Sequence, residues 1–158
     1  MKLELTRTYR KGEILDGELR VNGLLLCDTS ENSYYAIEPG TYTVMRINCK
    51  QYCQYMPVIM IKGNSSGHEG NKLACCADCT AIGETFLNTA LPTYCPQIKM
   101  GNGIHNRRDG SIIIGTRIVP GAIKLSAAPF EKLLERMRKL SSRNRETTLT
   151  IIDNTINP

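Results

Sequence analysis

The residues best equipped for chemistry lie in one run: Ile98-Lys99-Met100-Gly101-Asn102-Gly103-Ile104-His105-Asn106-Arg107-Arg108-Asp109-Gly110-Ser111-Ile112-Ile113-Ile114-Gly115. A histidine can act as base to a serine hydroxyl, an aspartate can orient the imidazole, and backbone N–H groups can stabilise an oxyanion. His105, Asp109 and Ser111 supply all three types within one short stretch. The same closeness fits a polar turn with Asp109-Gly110 at its tip, because catalytic partners generally meet from distant parts of a fold. Arg107 and Arg108 are candidates to hold a substrate carboxylate through charge-assisted hydrogen bonds. A phosphate cradle is a weaker reading: Gly101, Gly103 and Gly110 lack P-loop spacing and no Lys-Ser/Thr pair follows them.

The cysteines form a second cluster, at 27, 49, 53, 75, 76, 79 and 95. Cys49-x3-Cys53 and Cys76-x2-Cys79 have short spacings that could fill the four corners of a tetrahedral structural zinc site, with Cys75, Cys95 or His68 as substitutes. Disulfides are a second reading if the chain leaves a reducing compartment, and the odd count leaves one thiol over. Buried thiols packed as small apolar groups are the third. All three stay open. A third cluster is cationic: Lys132, Arg136, Lys139 and Arg143 recur at helical spacing, and the chain from residue 96 onward holds 11 Lys/Arg against 5 Asp/Glu. This stripe could meet nucleic acid or another polyanion, or serve solubility alone. It has no aromatic neighbours on which bases could stack.

The elements that must position these groups are mainly strands. The chain has 158 residues, no Trp and 2 Phe, which suits one domain over 1–158 with an aliphatic core. Leu3 and Leu5 alternate with Lys2, Glu4 and Thr6, the period of a half-buried strand. Ile14–Val21 contains Asp16-Gly17 and resumes alternation, and Asn22-Gly23 then predicts a tight hairpin into Leu24-Leu25-Leu26-Cys27. Glu38-Pro39-Gly40 predicts a turn, and the segments 41–47, 58–61 and 147–152 predict strands. Residues 49–95 read as a cysteine-bearing insertion, with poor periodicity over 63–95. Phe130, Leu133, Leu134, Met137 and Leu140 line one helical face, with Ser126 as its expected N-cap and Pro129 in the first turn. The fold class expected is therefore mainly β (α+β): a small barrel or sandwich-like core, one amphipathic C-terminal helix and a closing strand. No apolar run follows Lys2, and the longest, Met56–Ile61, is far too short to span a bilayer. The chain reads as soluble, cytoplasmic as synthesised and not membrane-inserted.

Several of these segments carry a resemblance. Met1–Tyr9, Leu19-Arg20-Val21-Asn22-Gly23 with Cys27-Asp28-Thr29, the Ile37–Val44 strand (family pattern Ile-Pro-x-Gly-Thr-Tyr) and Gly110-Ser111-Ile112-Ile113-Ile114-Gly115 (family pattern Gly-Cys-Ile-x-x-Gly) resemble a family of short bacterial and phage proteins whose domain has no assigned function. The resemblance covers most of the chain outside about 49–95. The family's central motif pairs Ile-His-x-Gly-Asn with that Gly-Cys-Ile. It is distantly similar to the catalytic His and Cys of L,D-transpeptidases, β-rich enzymes in which a thiolate attacks a peptide carbonyl of peptidoglycan stem peptides. Gly101-Asn102 aligns with the family's Gly-Asn, which makes Asn102 a substrate-binding candidate. Lys99 then stands where the His would be, and Ser111 where the Cys would be.

A serine hydroxyl is much harder to ionise than a thiol and needs a strong base. Lys99 could act so in its neutral form, as in Ser–Lys hydrolases, or His105 could take the role. Otherwise the site is degenerate. The resemblance thus implies a phage or mobile-element protein with a cell-wall-directed, L,D-transpeptidase-like scaffold and an altered site. The alternatives are a non-catalytic structural or binding protein, such as a phage-particle component released on lysis, and a nucleic-acid binder. The partners expected are peptidoglycan or another phage or bacterial protein, with no cofactor beyond a structural zinc.

Overall fold

The alternation that opens the chain produces the first strand, β1 (Lys2–Lys11), and carries one step further than its hydrophobicity does. Leu3, Leu5 and Arg7 are all buried. In the computed structural model, which describes residues 1–49, 54–61, 96–103, 110–143 and 145–155, β1 is followed by β2 (Ile14–Val21), β3 (Leu24–Asn32), β4 (Gly40–Cys49) and β5 (Gln54–Met60). Then come β6 (Ile98–Lys99), β7 (Ile112–Val119), β8 (Ala122–Lys124), the helix α1 (Ala127–Ser141) and β9 (Thr147–Asp153). The segment 62–95 and residues 104–109 lie outside the described residues.

The strands join in the order β5-β4-β9-β1-β2-β3-β7-β6, with β8 hydrogen-bonded to β7. The closing strand expected at the C-terminus is therefore internal: β9 runs parallel to β1 and antiparallel to β4. The sheet curls until its ends meet. Val58 of β5 bridges Gln97, and the Ile59 N–H donates to Pro96 O at 2.9 Å. The result is a nearly closed barrel with, among the described residues, a single helix packed on it, as the sequence predicts. Its core is aliphatic, built from Leu3, Leu5, Leu19, Val44, Ile59, Ile98, Ile112, Ile114 and Leu149 among others.

The Asn22-Gly23 hairpin forms with both residues at positive φ, 51° and 84°, the geometry that asparagine and glycine tolerate. The apolar run after it does not sink inward: Leu24 and Leu25 are exposed. Along α1, Phe130, Leu133 and Met137 are buried and Leu134 packs on the core beside them. Ser126 sits at the N-cap position but does not cap. Its Oγ donates to Gly101 O at 2.7 Å and accepts the Gly101 N–H at 3.4 Å, so the helix start is tied to the loop after β6 instead.

Two glycines permit approaches that no side chain would. Gly17, inside β2, lies against the backbone of β1 beside a register shift between Arg7 and Tyr9, and a Cβ there would collide with the Thr6 carbonyl. At Gly115 an added Cβ would collide with the Lys124 carbonyl and the Ile123 side chain, where β7 turns out of the sheet to pair with β8. Because backbone cannot move aside as a flexible side chain can, Gly17→Ala is expected to destabilise by about 2 kcal/mol or more. Urea unfolding measures it, and a loss below about 0.5 kcal/mol would contradict the close approach.

Candidate functional site

The two positions singled out by the resemblance are Lys99, on β6, and Ser111, just before β7. β6 pairs parallel with β7 in the register Ile98↔Ile112 and Lys99↔Ile113. Alternation sends Ile98, Ile112 and Ile114 into the barrel core and puts Gln97, Lys99, Ser111 and Ile113 on the other face. That second face is also enclosed: Gln97 is 1% exposed, Lys99 4% and Ser111 1%. The Gln97 N–H donates to Ser111 Oγ at 3.2 Å, and the Ile112 N–H returns to Gln97 O at 2.9 Å. Ser111 Oγ thus supplies an acceptor for the Gln97 amide at the start of the β6–β7 pairing. Lys99 and Ser111 share a face, as a base and nucleophile must, but the serine oxygen is held as a structural acceptor.

The remaining sequence candidates divide. Asn102 is exposed, and its carbonyl accepts the Ile123 N–H at 3.1 Å, which fastens the loop after β6 to β8. His105, Arg107 and Arg108 lie outside the described residues, as do Cys53, Cys76 and Cys79. Cys49 closes β4, fully buried within the core. Among the described residues no group of three His, Cys, Asp or Glu side chains is arranged to hold a metal. On the basic stripe, Lys132 and Lys139 are exposed, but Lys139 pairs with Glu135 at 2.7 Å, and Arg143 falls beyond the end of α1. Among the described residues no helix is long and apolar enough to cross a membrane.

Sequence reasoning missed a buried charge network at one end of the barrel. Arg7 Nε and Nη2 donate to the two Glu31 oxygens at 2.9 and 2.8 Å, and Nη2 also donates to Ile37 O at 2.7 Å. Asp153, at the end of β9, receives Arg10 Nη2 at 3.0 Å. The available signal was positional: Arg7 occupies the inward phase of the Leu3–Leu5 alternation, and an arginine there demands a buried acid. Burial pushes the Glu31 carboxyl up, against the pull of Arg7. Burial also pushes Asp153 up, but two hydrogen bonds from Thr155 and the charges of Arg7 and Arg10 outweigh it, and Asp153 titrates below the ordinary range. The network floors an open pocket of about 400 Å³ whose lining includes Arg7, Arg10, Ile37, Glu38 and Asp153.

A second pocket, of about 370 Å³, lies between β3, β7 and the start of α1 and is lined by Cys27, Asp28, Gly115, Thr116 and Lys132 among others. Cys27 is a free thiol. Burial first, and the Asp28 charge with it, push this thiol up to about 12 against a hydrogen bond from the Gly115 backbone. It is therefore no nucleophile at neutral pH. Compared with known proteins, the chain matches no family model, no curated sequence and no solved structure.

Two outcomes follow from these environments. Iodoacetamide at about pH 8 should alkylate Cys27 at least a hundredfold more slowly than a free cysteine thiol, read by peptide mass mapping; labelling at the free rate would contradict the burial. Because Asp153 is held below its unfolded value, its contribution is complete above the ordinary carboxylate range and is lost as pH falls through its lowered pKa. Asp153→Asn should therefore lower Tm by several degrees at about pH 7 and by much less at about pH 2. An equal loss at both would contradict the assignment.

Proposed function

We propose that this chain is an L,D-transpeptidase-like scaffold, directed at peptidoglycan stem peptides, in which the catalytic positions have been turned to structural use. It binds or builds; it does not cleave or join. The observation that carries the reading is the state of Ser111. An attacking oxygen must come within about 3–3.5 Å of the carbonyl carbon, and a hydroxyl 1% exposed and committed to the Gln97 N–H has no such access without strand separation. The replacement chemistry agrees: a serine oxygen is a good acceptor for a backbone N–H, whereas a cysteine sulfur is a weak one. A setting as a phage-particle component suits such a protein. The nucleic-acid reading is weaker, because Glu135 neutralises part of the basic stripe and Arg143 lies off the helix.

A catalytic reading keeps one observation in its favour, the shared face of Lys99 and Ser111. Two measurements separate the two. Purified protein incubated with peptidoglycan should leave the muropeptide profile unchanged by mass spectrometry while cosedimenting with the insoluble polymer. New cross-links or cleaved stem peptides that vanish in Ser111→Ala would overturn the non-catalytic reading. Ser111→Ala should instead cost about 1–3 kcal/mol of stability, the penalty of a buried N–H left unpaired, and keep the cosedimentation. Absence of cosedimentation in the wild type would remove the peptidoglycan part of the reading.

A further inference from the structure

The charged end of the barrel has no part in the reading built on Ser111. Buried ions are expensive, and an end plugged by apolar side chains would be at least as stable. Here three charged side chains, those of Arg7, Glu31 and Asp153, are each no more than 2% exposed, yet they sit beside an open pocket. Their pairing leaves a defined remainder. Arg7 cancels Glu31, and Arg10 cancels Asp153. Glu38, exposed at the pocket wall, has no ion pair among the described residues. On the donor side, Arg7 has spent Nε and Nη2, and its Nη1 stands 3.7 Å from Asp153, beyond hydrogen-bond length. Arg10 is 43% exposed and uses Nη2 on Asp153.

We propose that this pocket binds a small zwitterion of the α-amino acid class, its carboxylate on the Arg10 guanidinium, which Arg7 backs through Asp153, and its ammonium on Glu38. The groups left over select this class. A plain anion would meet the unpaired Glu38 carboxylate, and a plain cation would leave the Arg10 donors other than Nη2 unused. The volume of about 400 Å³ lies at the small end of ligand sites and leaves room for a side chain. The wall is also set in advance: the Arg7 bond to Ile37 O holds the segment before Glu38 and Pro39 in place, so little ordering is left to binding.

The test is a thermal-shift screen of the common α-amino acids and D-alanine, followed by titration calorimetry of the best binder at low ionic strength. Its N-acetyl derivative, which lacks the cation, and its methyl ester, which lacks the anion, should each bind about tenfold more weakly or worse. Glu38→Gln, at an exposed residue, should fold normally, weaken the free amino acid by about tenfold and leave the N-acetyl derivative bound at least as tightly as the wild type binds it. Arg10→Gln should weaken the ester little and the free amino acid strongly, with its melting curve recorded alongside. Three results would each overturn the proposal: no amino acid binds, Glu38→Gln binds as the wild type does, or the ester binds as tightly as the free amino acid.

Discussion

A barrel must pair every backbone N–H and C=O along the line where its sheet meets itself, because an amide left unpaired inside costs as much as a lost hydrogen bond. In this chain that line is the two-residue strand β6, too short to satisfy both neighbours through its own ladder. The debt is met piecemeal. Ile59 donates to Pro96 O on one side, Ile112 donates to Gln97 O on the other, and the Gln97 N–H goes to the hydroxyl of Ser111. Ile98, Ile112 and Ile114 can fill the core only if this seam holds. The anchor from Ser126 to Gly101, just past β6, then couples the seam to the start of the helix.

The same economy governs the middle of the strand order, away from the seam. β9 enters between β4 and β1, which brings Asp153 beside Arg7 and Arg10. Arg7 in turn spans from β1 to Glu31 on β3 and to the carbonyl of Ile37 in the connection to β4. One side chain thereby ties two strands and a loop, a job no aliphatic residue at position 7 could do. A parallel device operates on β2, where buried Asp16 accepts from Ser30 Oγ at 2.6 Å and from the Gly121 N–H at 2.9 Å and so holds the β7–β8 turn against the sheet.

Much of the architecture was legible where a local rule had no competitor. Asn22-Gly23 could only be a tight hairpin, and the Phe130–Leu133–Met137 spacing could only be a helix face. The strand order was not legible, since the pairing of β9 with both β1 and β4 depends on contacts across nearly the whole chain. The exposure of Leu24 and Leu25 was not legible either, because an apolar run says nothing of which wall it lines. Ser126 has the right type for a cap but is drawn to Gly101, a tertiary partner invisible to local sequence. At the candidate site, motif alignment singled out Lys99 and Ser111, and strand alternation carried on from the Ile98↔Ile112 register puts the two on one face. It could not reveal that the serine oxygen is spent on Gln97, because that depends on how short β6 is.

The account therefore turns on whether Ser111 serves the seam. Hydrogen exchange of the Gln97 amide, followed by NMR under native conditions, tests this most directly. The account predicts strong protection in the wild type, comparable with core strands, and a selective loss of protection at Gln97 when Ser111 is replaced by Ala while amides of β1 and β2 stay protected. A Gln97 amide that exchanges freely in the wild type, or equally slowly in both proteins, would contradict it.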